Sequence, residues 1–265
     1  MPVGHRGPAA RTQENRRSES LLILGKVDLD TFERDGYVVL RGAVSAKVAE
    51  ACRQAIWEGM GQRGIRHCDP ATWPAVVELE WLDCGAAACD ALIGPQRWTA
   101  PIRPGGAVVV RFPSQERANA GYHIEGSYDV PGGYWANLRS RARGLLALFL
   151  FSDVGPDDAP TRLVCGSHLF VPPFLAPYGE AGTLTDAELW RPSVLCRPVA
   201  HATGLAGDIY LCHPFMVHTA TWPHRGATPR MIAQPAVHMP DGFALDGSDP
   251  SPVAKAIVAG LGSAD

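Results

Sequence analysis

Three things are missing from this chain: a CxxC pair, a long apolar run, and an excess of either charge. The seven cysteines, at 52, 68, 84, 89, 165, 196 and 212, are odd in number and scattered. That pattern argues against a disulfide framework and a zinc knuckle, and it fits a reducing cytoplasm. The longest apolar run, residues 145–151, falls far short of the roughly 20 residues that span a bilayer. Arg16-Arg17 precede only the short apolar run 21–24, too little for a secretory core. With 24 Lys and Arg against 27 Asp and Glu, a net charge of −3 offers nothing to draw a nucleic acid or an acidic membrane. Internal repeats, a Gly/Pro/Ser-rich linker and a glycine-rich nucleotide loop are also absent. The expectation is a soluble protein whose partner is a small molecule; its oligomeric state is not legible.

What is present describes an ordinary globular chain, 46% apolar and 19% charged, with ample material for a core. Residues 1–25 are polar and basic and read as a disordered tail, leaving one domain over 26–265. Acidic residues open a helix over 28–35, and Gly36 stops it. A short β-rich run follows at 37–42, and Ser45 has the character of an N-cap for a helix reaching about residue 58. Glycines and prolines break up 59–105, where only 84–93 reads as helical. Beyond Gly106 come short β-type runs at 107–112, 122–124, 144–154, 161–166, 193–199, 207–213, 215–220 and 230–237, with a helical piece near 185–190. Strands at this spacing predict a sandwich or barrel over about 106–240, with the helical part, about 26–105, packed outside it.

The stretch GYHIEGSY (121–128) puts His123 and Glu125 on one face of a strand. That spacing suits a shared ion, and equally two polar side chains on a half-solvated strand. His5 and His67 read as solvated. His213 and His218 bracket an apolar stretch, and a histidine there needs a partner. Order along the chain adds weight: an HxE pair, then His218, then Arg230. The first three can form a 2-His-1-carboxylate facial triad, which holds one face of Fe(II) and leaves three positions open. Arg230, Ile232 and Gln234 share a strand face, and a guanidinium there can grip a carboxylate in a bidentate fork.

Over most of residues 30–238 the chain resembles the phytanoyl-CoA dioxygenase family of Fe(II)/2-oxoglutarate oxygenases. FERDGYVVLRGAVS (32–45) is similar to the family's opening segment. GYHIEGSY stands where the family carries its HxD pair, CGSHLF (165–170) resembles its PGSH turn, and GDIYLCHPFMVHTATWPHRGATPR (207–230) resembles its closing signature. The resemblance implies a mainly β fold with flanking helices: the double-stranded β-helix, a cupin-like jelly roll. It implies iron ligands His123, Glu125 and His218, with Arg230 on the far carboxylate of 2-oxoglutarate and His213, His168 and Gln234 behind them. Arg225 is a weaker rival to Arg230. The activity implied is hydroxylation, or a related oxidation, of a small natural product, with O2 consumed and succinate and CO2 released.

Two departures stand out. The carboxylate ligand is Glu where Asp is commoner, and the Asn-Gly that often precedes the GSH turn is replaced by APTR (159–162). The presence of any carboxylate argues against halogenation. Substrate contacts are expected from loops 113–121 and 126–140, with Tyr128 and Trp135, and from Phe112 and Arg111. Arg139, Arg141 and Arg143 alternate, and suit either an anionic substrate or a solvated edge. Two rival readings remain: a cupin-like metal-dependent isomerase or lyase that does not use 2-oxoglutarate, and a non-catalytic binding module on the same barrel.

Overall fold

A computed structural model describes residues 27–60, 67–68, 85–99, 108–115, 121–125, 128–130, 133–185 and 196–262. The chain enters through α1 (Leu29–Asp35). The Asp28 side chain accepts the Thr31 N–H at its start, and Gly36 ends it at φ 87° with its N–H on the Phe32 carbonyl. Only glycine takes that left-handed cap without steric cost. Strand β1 (Tyr37–Leu40) and helix α2 (Ala46–Met60) follow, then the short β2 (His67–Cys68) and helix α3 (Ala86–Ile93).

Two sheets build the body. The larger adds β3 (Val108–Arg111), β6 (Leu145–Leu150), β10 (Ile209–Cys212), β12 (Arg230–Ala233) and β13 (Ala236–Val237). Its strands run in the order β1-β10-β6-β12-β3-β2, with β13 also on β6, and every pairing is antiparallel. The smaller sheet is β11-β7-β9, from His218–Ala220, Thr161–Val164 and Val199–His201. A third, peripheral sheet joins β4 (Tyr128–Val130), β5 (Gly133–Ala136) and β8 (Thr183–Leu184).

Side-chain alternation on β6 explains the layering. Leu146, Leu148 and Leu150 pack with Leu163, Met216, Tyr210 and Ile232 between the two main sheets. Leu145, Ala147 and Phe149 point the other way and pack with Ile56, Leu92, Ile93 and Ile257 under the helices. A strand buried on both faces reads as a continuous apolar run, which is why the sequence shows seven such residues in a row. By the same parity, Ile232 on β12 faces the interior between the sheets, and Arg230, two residues earlier, faces it too.

Several expectations need adjusting. The run 230–237 is two strands, because Pro235 has no N–H to give the ladder. Of 215–220 only the last three residues are strand, and of 122–124 only His123 forms a bridge. Of the strand expected at 193–199, residues 193–195 lie outside the described residues, 196–198 are not strand, and β9 begins at Val199. Strands β2, β4, β5 and β8 were not anticipated. Nor was the closing helix α5 (Pro252–Gly262), which follows the short α4 (Val171–Leu175) in chain order and whose Val253, Ala254 and Ile257 are buried. The tail at 1–25 and nearly all of the helical piece near 185–190 lie outside the described residues. No helix among the described residues is long and apolar enough to cross a membrane.

Candidate metal centre

His218 opens β11, and an isolated antiparallel bridge pairs it with His123: each N–H donates to the other's carbonyl, at 2.9 and 3.0 Å. The bridge sets the imidazole rings side by side, 4.5 Å between centroids. Ile124 between them is buried in the core, so Glu125 returns to the same face as His123. Glu125 Oε1 stands 3.8 Å from His123 Nε2 and 3.4 Å from His218 Nε2. One ligand atom from each of the three residues lies within 4.8 Å of the other two, an arrangement found at no other His, Cys, Asp or Glu cluster among the described residues.

The tautomers are fixed by chain geometry. His123 Nδ1 lies 3.0 Å from the Gly121 carbonyl, and His218 Nδ1 lies 3.0 Å from the Met216 carbonyl. A carbonyl only accepts, so each Nδ1 carries the proton and each Nε2 presents a lone pair to the shared space. His218 Nε2 is buried there and makes no hydrogen bond. A buried imidazole lone pair aimed at a second imidazole and a carboxylate is what a divalent transition metal requires.

Charge in the site is strongly coupled. Burial works to raise the Glu125 carboxyl, but His123, His218 and Arg143 outweigh it and hold it well below the usual carboxylate range. Burial likewise pulls the His123 imidazole down, while Glu125 and the Gly121 carbonyl outweigh it and leave it raised. Arg143 Nη2 stands 4.0 Å from Glu125 Oε2.

The larger sheet contributes a buried cation. Arg230 lies directly across the ladder from Arg111, is 3% exposed, and donates from Nη1 to the Ala159 carbonyl at 2.6 Å. Its Nε is buried with no partner, and among the described residues no carboxylate pairs with it. Burial, and after it the like charge of Arg111, pull Arg230 down to about 9. Arg111 in turn stacks over the Trp222 ring at 4.4 Å. Arg225 is exposed and does not share this setting.

The remaining candidates divide. Gln234 follows β12, half-buried. Trp135 and Tyr128 are register partners across β4 and β5 in the peripheral sheet. Phe112 does not line the interior: it packs on the helix side, its ring 6.1 Å from Trp57, because it follows Arg111 by one residue and so points the opposite way. His168 and His213 do not join the triad either. Their rings meet each other at 5.0 Å, and their Nε2 atoms face the Glu33 and Val253 carbonyls. The part of the GSH turn that serves the triad is Ser167, whose Oγ accepts the Val217 N–H at 2.9 Å and fixes the chain just before His218. The APTR segment has a use as well, since its Ala159 carbonyl holds Arg230. Arg143 stood out in the sequence only as one of three alternating arginines, and neither its approach to Glu125 nor the stacking of Arg111 on Trp222 was legible there.

No family model matches the sequence, and no curated protein matches it. Solved structures do. The non-haem α-ketoglutarate-dependent carbocyclase SnoK from nogalamycin biosynthesis aligns at a TM-score of 0.55 and 18% identity, over 80% of this chain and 82% of its own. HygX from Streptomyces hygroscopicus, with nickel and 2-oxoglutarate bound, gives 0.53 and 20%, over 82% and 87%. The epimerase SnoN, in complex with Fe3+, α-ketoglutarate and nogalamycin RO, gives 0.50 and 19%, over 93% and 94%. The barrel is a double-stranded β-helix. At these identities the likeness is one of fold. Within this double-stranded β-helix, the smaller sheet supplies His218 and, by its bridge, His123, while the larger sheet supplies Arg230 and Arg111.

Proposed function

We propose that the protein is a non-haem Fe(II) oxygenase of the phytanoyl-CoA dioxygenase type, using 2-oxoglutarate and O2 to oxidise a small molecule in the cytoplasm. The observation that carries this reading is the convergence of two Nε2 lone pairs and one carboxylate oxygen, with both Nδ1 protons committed to backbone carbonyls. The donor set fits Fe(II), and the buried Nε2 of His218 is left without a hydrogen bond until a metal takes it. Iron held there would activate O2 as 2-oxoglutarate loses CO2, so that one oxygen atom enters succinate and the other the substrate, R–H becoming R–OH.

The chain's own residues have separable tasks. His123, Glu125 and His218 hold one face of the metal and leave the other open. Arg230 supplies the charge-assisted fork for the far carboxylate of 2-oxoglutarate, and an anion at that point relieves the burial of its cation. The apolar lining of Leu146, Leu148, Leu150, Leu163 and Ile232 limits water behind the site. That SnoK comes from nogalamycin biosynthesis and SnoN binds nogalamycin RO supports a natural-product scaffold as the substrate here.

The test is anaerobic. Fe(II) added to metal-free protein, followed by 2-oxoglutarate, should produce a visible charge-transfer band that requires both additions. Arg230→Ala should leave iron binding intact and raise the 2-oxoglutarate Kd by about 30- to 100-fold, as expected for losing a hydrogen-bonded charge pair. Iron binding without the band would favour the isomerase or lyase reading. Failure to bind iron at all would end the proposal.

A further inference from the structure

Glu125 offers two oxygens, and the fold treats them differently. Oε1 faces both histidine Nε2 atoms, whereas Oε2 faces Nη2 of Arg143 at 4.0 Å. This separation matters because a carboxylate can give a metal one oxygen or two. A glutamate, with one more rotatable bond than aspartate, reaches either arrangement more easily. Using both oxygens would consume a coordination position that the cosubstrate or oxygen needs.

Arg143 is not a solvated edge residue: its side chain is 12% exposed. Its backbone is gripped from both sides. Ser140 Oγ donates to the Arg143 carbonyl at 2.8 Å, Ala142 N–H to the Met239 carbonyl at 2.9 Å, and Gly144 N–H to the Val237 carbonyl at 2.8 Å. Asn137 Oδ1 accepts the Arg141 N–H at 3.1 Å. Ser140 and Ala142 sit at φ 46° and 71°, a left-handed backbone that side chains other than glycine's adopt only when surrounding contacts impose it. Arg139, by contrast, turns to Glu180 and the Phe243 and Asp241 carbonyls. The segment is built to deliver Arg143.

We propose that Arg143 is a positioning residue that holds Glu125 as a one-oxygen metal ligand, which rests on the oxygenase reading above. Claiming Oε2 electrostatically, the guanidinium leaves only Oε1 for the metal and keeps the opposite face open for 2-oxoglutarate.

The experiment uses Co(II) in place of Fe(II) in the full chain, because Co(II) d–d absorption reports coordination number without turnover. Wild type, Arg143→Met and Arg143→Lys are compared before and after 2-oxoglutarate, anaerobically. Arg143→Met should bind Co(II) with a d–d spectrum already altered before any cosubstrate is added. Its 2-oxoglutarate Kd should rise by about 10-fold or more, the usual effect of removing a group that orients a metal ligand. Arg143→Lys, which keeps the charge but not the fork, should fall between, and it carries the comparison if Arg143→Met does not fold. An unaltered cosubstrate-free spectrum overturns the proposal. With a weakened 2-oxoglutarate Kd, it would mean that Arg143 contacts the cosubstrate itself; with only a lower melting temperature, that its role is structural. A wild-type protein that binds Co(II) but shows no response to 2-oxoglutarate would instead sink the oxygenase reading, and this proposal with it.

Discussion

His168 and His213 lie side by side where α1, the turn at 167–169 and α5 meet, both without exposed surface. Each gives one ring nitrogen to a backbone carbonyl, and His213 Nδ1 also accepts the Phe215 N–H. Burial holds both imidazoles neutral. It pulls His168 down to about 4, with Arg197 adding to the shift and the Glu33 carbonyl and Asp35 opposing it. His213 is pulled well down by burial and by His168. The sign of the linkage follows. Between the unfolded value of 6.5 and about 4, the unfolded chain binds a proton that the folded chain refuses, so stability is full above 6.5 and is lost as pH falls. For His168 alone the loss is about 2 kcal/mol by pH 5. Urea unfolding of the metal-free protein should give a clearly lower free energy at pH 5 than at pH 7. His168→Gln should make that slope shallower; an unchanged slope would mean that these imidazoles are not held neutral by the fold.

At the scale of elements, the segment 137–144 is where local preference and the fold disagree most openly. Ala142 at φ 71° costs roughly 1 kcal/mol relative to a residue at ease there, and the hydrogen bonds to Met239 and within 137–143 hold it in place. Ala142→Gly should therefore raise the melting temperature by about 2–4 °C, the shift that 1 kcal/mol produces in a chain near this size; a lower melting temperature would mean that the added freedom of the unfolded chain outweighs the relieved strain. Such features were invisible in the sequence because nothing in SRARG signals a left-handed backbone. Where local chemistry decides, the sequence was readable. Asp28 and Gly36 bracket α1, and the unbroken apolar run of β6 marked a strand buried on both sides. Helix α5 was not readable, since PVAKAIVAGLG is short and rich in small residues, and burial against α1, α3 and α4 holds it more than its own propensity does. The triad was half legible: HxE and His218 were visible as types in order, but the bridge that brings their rings together is tertiary. Arg143 was visible only as one of three alternating arginines, whose difference comes from the turn that separates them.

The molecule as a whole is three layers: helices, the larger sheet, and the smaller sheet, whose His218 and its bridge to His123 place the candidate metal site. Helix α5 lies in the outer layer, yet it is coupled to the site through the chain it supports. Its Val253 carbonyl faces His213 Nε2, and His213 begins the turn that leads through Met216 and Val217 to His218. Ending the chain after Pro250 keeps Asp249, which pairs with Arg97, but removes that carbonyl and the buried Val253 and Ile257. Those two side chains alone are worth about 3–6 kcal/mol, a large share of the 5–15 kcal/mol that holds a typical domain folded. Saturating Ni(II), at about 100 times its Kd, would return only about 2.7 kcal/mol. The truncated protein should therefore unfold at much lower urea than the full chain and recover only part of that difference with Ni(II). Ile257→Ala, which spares the Val253 carbonyl, should lower stability by about 2–5 kcal/mol while leaving the cosubstrate Kd of the folded fraction unchanged. If instead that single substitution weakened 2-oxoglutarate binding, the outer layer would be setting the geometry of the site and not only its stability.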